Sequence, residues 1–590
     1  MSATRPARRR KACEQCRQQK IRCDGEPPQI CSRCHRMGLR CVLSSNPNVR
    51  KTKAQLQREV ELLRLQSEPT SSTATQQLFS GSDGSHVDPA VSISSYIVSP
   101  VESHGPSAAS LDERCCARDF SGQEIDALKI RDCFELFFRD YAPSLPVFDA
   151  NLSPNEYYDL CPFLFWAMLF VGSRRYSRDP TLLGRLRPRI NAMALLALEA
   201  RATPIETIKG LLLLCLWPIP LNTMFKDISH VLSGAAVALA MQIGLHLTGS
   251  GQDFSRTILN GGRARVVDRA HLWMHCLMYL ISTNIQEGIS PLFLTDPSAI
   301  SLDDESLDAE FPPQIRLRRK MFSILTSSRA AIIRVLPSAE NISHPNALRS
   351  IIAVADSQLF ALAAQISDPK DVATLGCCRI HILAFYFLDH VTSQHEQGLV
   401  QLYTTACNFL EDATNQHLTT RLAELCTMFV ERTVMLAALS VFKIYRSNLA
   451  PYIDVNAGEK AFFSAIRFCR QASLENDDLG ARGVSILSQL WTSQNVFRRP
   501  NGQVDSLGTR IRTRLSMSVV FDCFWWWREE FAGQSSPYSE DARRMSATSH
   551  HNTSFEDMVD AQQAPRQRRR HSQGTQQRGL TRPTRMPQRP

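Results

Sequence analysis

The sequence predicts a mostly α-helical protein: one large all-α body, preceded by a small cysteine-rich module and a short coiled coil, with polar stretches between and after them. From about Phe120 to Phe531, apolar residues recur at spacings of three and four, the period of one helix face. Over the same span, strand-like alternation with Asn-Gly turns is scarce. Six of the 18 cysteines crowd into Cys13–Cys41. At 590 residues the chain exceeds one ordinary core, so several compact units or one large helical domain are expected.

The module comes first in the chain. Cys13, Cys16, Cys23, Cys31, Cys34 and Cys41 follow the spacing C-x2-C-x6-C-x7-C-x2-C-x6-C, two repeats of three cysteines. A C-x2-C pair suits one tetrahedral metal, because a short turn brings both thiolates onto one ion. Two separate four-cysteine sites would require eight ligands. Six suffice for two four-coordinate zinc ions if two thiolates bridge. Such a site is saturated by sulfur, which makes it structural, and in so short a segment the metal supplies most of the folding free energy. His35, beside Cys34, is a weaker candidate ligand, since the repeat completes the cluster without it.

Basic residues fill the spaces between these ligands. Residues 1–60 hold fifteen Lys/Arg against four Asp/Glu, a net of +11; residues 561–590 hold eight Arg and no acid. With +10 on the whole chain, the middle carries −9. A basic head on an acidic body fits a protein that grips a polyanion at one end, and points to double-stranded DNA. A co-regulator whose zinc module binds protein is the alternative; interleaved bases between the ligands argue against it. An enzyme carrying an accessory zinc module is a third reading. No G-x-S-x-G elbow, P-loop, dinucleotide fingerprint or H-E-x-x-H pair supports it, so no enzyme activity is expected.

After Cys41 and a polar linker, Leu56, Val60 and Leu63 follow a 4,3 spacing within a helix over about 52–66, a coiled-coil signature about two heptads long. The Ser, Thr, Gly and Gln of residues 68–115 read as a disordered spacer. In the body, Thr203-Pro204-Ile205-Glu206 is a capping box with proline at the first helical position, followed by an apolar run that Trp217-Pro218 ends. Leu232, Ala236, Leu239, Ile243 and Leu247 mark the buried face of the next helix. Trp525, Trp526 and Trp527 cannot share one helix face, so their helix is expected to be buried on several sides; an aromatic ligand cage is the less favoured reading. The twelve cysteines outside the module read as small buried hydrophobes in a reducing compartment.

Residues 534–590 read as a disordered basic tail, with an acidic-apolar patch at Phe555–Asp560 that has the composition of a small activation segment. Arg8 to Lys11 and Arg566 to Arg570 are candidate import signals, which predicts the nucleus. No secretory segment opens the chain, and the longest apolar stretches, Leu211–Leu221 and about Phe163–Val171, fall short of a membrane span, so a soluble protein without a membrane partner is expected.

The string Cys13-Glu14-Gln15-Cys16-Arg17-Gln18-Gln19-Lys20-Ile21-Arg22-Cys23-Asp24 resembles the fungal zinc binuclear cluster family of transcription factors. The resemblance implies that Cys13 and Cys31 bridge the two zinc ions, and that Pro27 and Pro28 lie in the loop between halves. It also implies that Lys20 reads a CGG-type triplet in the major groove, the chemistry of Lys or Arg on guanine. Gln19 stands where the family often has a second basic contact. Arg17, Arg22, Arg10 and Lys11 fit phosphates. Members dimerise through a coil at this point, so Leu56, Val60 and Leu63 would form a homodimer seam. Ser173–Tyr176, Leu211–Pro218, Gly234–His246 and Gln252–Arg256 resemble the fungal regulatory domain, most closely the branch of the leucine-pathway and secreted-protease regulators. That domain restrains the DNA-binding head and in some members senses a metabolite. The domain plan is thus 10–43 zinc cluster, 44–67 linker and coil, 68–115 spacer, 116–533 regulatory domain and 534–590 tail. The implied function is transcription regulation of metabolic genes (amino-acid or nitrogen metabolism, secreted proteases or a secondary-metabolite cluster) together with the transcription machinery. Nothing in the residues names an effector.

Overall fold

The computed structural model describes residues 31–36, 115–247, 251–254, 263–290, 309–336, 345–389, 393–498 and 502–534. The chain divides into two compact units, 1–89 and 90–590. In the first, the described residues form one short helix, α1 (Ser32–Arg36). The coil over 44–67, the spacer and the tail lie outside the described residues.

The second unit opens with a two-residue hairpin, β1 (Arg118–Asp119) against β2 (Glu124–Ile125), antiparallel with Arg118 opposite Ile125. Its turn carries Ser121 and Gly122 at positive φ. Helices follow: α2 (Ala127–Leu136), α3 (Pro154–Leu160), α4 (Pro162–Gly172), α5 (Leu182–Ala200), α6 (Pro204–Leu216), α7 (Ser229–Gln242) and α8 (Arg263–Gln286). Then come α9 (Pro313–Val335), α10 (Pro345–Leu362), α11 (Pro369–Leu383), α12 (Ser393–Thr420), α13 (Leu422–Leu425), α14 (Met428–Tyr445), α15 (Val455–Ala472), α16 (Leu479–Thr492) and α17 (Ser518–Phe531). Neighbours in sequence pack against each other along most of the array: α6 on α7, α7 on α8, α9 on α10, α11 on α12, α14 on α15 and α15 on α16. The predicted all-α body is observed, and one continuous core runs through it.

The most apolar helices occupy the middle of that core. In α4 every residue from Phe163 to Gly172 is buried, with Pro162 supplying the first helical position. In α14 buried residues run almost without a break from Met428 to Ile444, and the helix meets α11, α12, α15 and α17. Gly172 allows α4 to approach α2, since a Cβ there would sit 2.1 Å from the Cys133 carbonyl oxygen. Of the body cysteines, Cys133, Cys161, Cys215, Cys276, Cys377, Cys378, Cys407, Cys469 and Cys523 are buried and free, as expected of small hydrophobes; Cys116 is exposed.

Three local expectations change. The helix beginning at Pro204 forms, but Thr203 makes no capping hydrogen bond; its hydroxyl engages the Cys161 thiol. The reciprocal box forms at Ser153-Pro154-Asn155-Glu156, where the Ser153 amide donates to Glu156 at 2.7 Å and the Glu156 amide to Ser153 at 3.3 Å. Helix α7 stops at Gln242, because Gly244 takes positive φ and the Leu245 amide donates back to Ala240. Ile243 and Leu247 therefore lie beyond the helix whose buried face keeps Leu232, Ala236 and Leu239. The Trp525–Trp527 helix is covered on several sides, as expected: Ser518, Val519, Val520, Asp522 and Cys523 are buried, Phe521, Phe524, Trp526 and Trp527 pack partly buried on the core, and the three indoles are half-buried. Finally, Met224–Gln242, Asn346–Gln365 and Pro369–Leu388 are long and apolar enough to cross a membrane, longer than the stretches the sequence reading named. Their polar residues serve the fold: Asp371 pairs with Arg318, Asp356 with Arg379.

Candidate metal centre

Cys31 and Cys34, the second C-x2-C pair, are described. Cys31 immediately precedes α1, and its carbonyl accepts from the His35 amide at 3.0 Å. The Cys34 amide donates to the Cys31 sulfur at 3.4 Å. Both cysteines are buried, 1% and 0% exposed, although the unit around them is small. An amide aimed at sulfur stabilises a thiolate, and a three-residue step on one helical turn puts both sulfurs on the same side. This donor pair fits zinc, which takes thiolates at a C-x2-C step. His35 is exposed, which leaves coordination by this half to sulfur.

Cys13, Cys16, Cys23 and Cys41 lie outside the described residues, and so do Arg10, Lys11, Arg17, Gln19, Lys20, Arg22, Leu56, Val60 and Leu63. Among the described residues no group of three or more His, Cys, Asp or Glu is placed to hold a metal.

In the second unit, sequence reasoning did not single out a cavity of about 350 Å³ whose walls come from α14, α16 and α17. Its charged residues, Glu431 among them, sit inside apolar helices and read as ordinary helix polarity. Trp527 does line it, in part the aromatic setting that was the less favoured reading of the tryptophans.

Residues 11–51 match the model of the fungal Zn(2)-Cys(6) binuclear cluster domain. Such a domain binds two zinc ions through its cysteines. The regulatory protein LEU3 of Saccharomyces cerevisiae is 22% identical over 647 aligned positions, covering 89% of this chain and 71% of that protein. The transcriptional regulatory protein SEF1 of Candida albicans is 23% identical over 416 positions, covering 67% of this chain. The chain spans 44% of the length of that SEF1 relative. The likeness to LEU3 thus runs well beyond the cysteines and through the helical body. The chain carries a fungal Zn(2)-Cys(6) binuclear cluster domain and is similar along most of its length to a fungal transcription regulator of the leucine-regulator branch.

Proposed function

We propose that this protein is a zinc-dependent, sequence-specific DNA-binding transcription regulator that reads CGG-type triplets as a homodimer in the nucleus. The observation that carries the reading is the cysteine module itself, with basic residues between its ligands, inside the matched segment 11–51. Zinc, when bound, holds the module folded. Cys13, Cys16, Cys23, Cys31, Cys34 and Cys41 would hold the two ions. Lys20 donates to guanine O6 and N7, with Gln19 beside it, while Arg10, Lys11, Arg17 and Arg22 neutralise phosphates. Leu56, Val60 and Leu63 join two copies, so that two triplets are read at a separation set by linker and coil. Residues 116–533 regulate the head, and the targets are metabolic genes.

Binding of the full-length protein to a CGG-containing duplex and to a scrambled duplex, measured by fluorescence anisotropy across salt, tests this. The affinity should fall linearly in log–log form as salt rises, with preference for CGG. Lys20→Ala should remove about 1–3 kcal/mol of that preference and reduce the salt slope little; Arg17→Ala should weaken both duplexes alike. A Lys20→Ala protein that still prefers CGG would overturn the assignment of Lys20.

A further inference from the structure

The cavity of about 350 Å³ in the second unit is large enough for a small organic ligand. Met428 and Met435 of α14, Ile486 of α16, and Phe521, Phe524 and Trp527 of α17 form its apolar walls. Methionines and aromatic rings on three helices make a surface that adapts to an apolar body. The Trp527 indole is held in place from its polar edge, its Nε1 donating to Gln489 at 2.7 Å.

The charged lining residues separate into committed and uncommitted groups. Arg432 donates to both Asp227 and Glu287, which commits two cavity charges to each other. Arg514 donates to the Glu287 carbonyl at 2.9 Å and lies 4.8 Å over the Phe521 ring. Arg482 donates to the Asn222 carbonyl, and Arg528 lies over Trp525. Glu431 differs: it lines the cavity and its carboxylate makes no hydrogen bond or ion pair among the described residues, with Arg174, Arg432 and Arg175 acting on it only through space. Burial pushes its carboxyl above the ordinary range, opposed by Arg174. A carboxylate left without a donor in such a setting is costly, and a donor arriving with a ligand relieves that cost.

We propose that this cavity binds a small amphipathic amine, its apolar body against the methionine and aromatic walls and its ammonium on Glu431. The aromatic faces favour the same charge, since ring quadrupoles attract cations. A ligand carboxylate, by contrast, would face Glu431. This inference is independent of how the zinc module reads DNA.

Three indoles of one shape test it on the full-length protein: tryptamine, uncharged 3-ethylindole and anionic indole-3-propionate, each titrated while Tm is followed. Tryptamine should raise Tm at concentrations about tenfold lower than 3-ethylindole, the worth of one charge-assisted hydrogen bond. Indole-3-propionate should act least. Glu431→Gln should bring tryptamine to the level of 3-ethylindole. Gly483→Leu, which projects a side chain from α16 into the cavity towards Met435, should weaken all three. The proposal falls if indole-3-propionate is the strongest of the three, if none shifts the wild-type Tm, or if Glu431→Gln keeps the tryptamine advantage. The wild-type ranking stands as a test even should a variant misfold.

Discussion

Lys443 of α14 and Asp522 of α17 are 79 positions apart, and neither side chain is exposed at all. The Lys443 ammonium donates to Asp522 at 2.7 Å and to the Gly508 carbonyl at 3.0 Å, while Asp522 also accepts from the Arg510 amide and guanidinium. Every charge in this group is met, so removing one partner leaves another buried and uncompensated. Lys443→Met should destabilise the body by about 3–5 kcal/mol, read from the denaturant midpoint by circular dichroism. A loss below about 1 kcal/mol would show that Asp522 finds solvent. Histidines make a second prediction at this scale. Burial lowers His381 to about 3, with Arg329 adding to it, and lowers His271 to about 4. The unfolded chain takes up these protons near pH 6.5, before the folded one does. Stability is therefore full above pH 6.5 and is lost as pH falls through it. Between pH 6.5 and about 5, above the range of ordinary carboxylates, Tm should decline, and His381→Gln should flatten the decline. An unchanged slope would sink this. In the sequence none of these partners announced itself: Lys443 reads as the polar edge of a helix, and only the packing of α14 on α17 brings Asp522 to it.

Individual elements were far more legible. Helix α6 begins at Pro204 and ends at Leu216 because proline fixes the first turn and Trp217-Pro218 cannot continue the last. What the pattern could not tell is where the Thr203 hydroxyl goes. Ser-x-x-Glu and Thr-x-x-Glu look alike, yet only Ser153 closes its box; Thr203 turns to Cys161, a partner supplied by tertiary contact. Likewise the apolar spacing of α7 runs on to Leu247, while the backbone reverses at Gly244. Hydrophobic period specifies a face, and glycine decides where it ends. Close approach between elements was also hidden. Gly172→Ala should cost about 1–3 kcal/mol or more, because the added Cβ meets the Cys133 carbonyl of α2. A variant with the wild-type thermal midpoint would mean that α4 and α2 can separate without loss. Of the predicted ligands, Cys31 and Cys34 are seen buried on one turn, the Cys34 amide donating to the Cys31 sulfur.

At the scale of the whole molecule, charge and cysteine content separate a basic metal-held head from an acidic helical body. The body keeps its own continuous core, and its described cysteines are free. Chelation should therefore leave the helical signal of the body almost intact while the head loses its structure. We propose that zinc makes this chain a DNA reader. The most direct measurement is the affinity of the full-length protein for a CGG-containing duplex at fixed salt, before chelation, after it, and after zinc is restored. Chelation should abolish the sequence preference, which should return with two zinc ions bound per chain. Preference that survives complete removal of zinc, with the metal content verified, would contradict it.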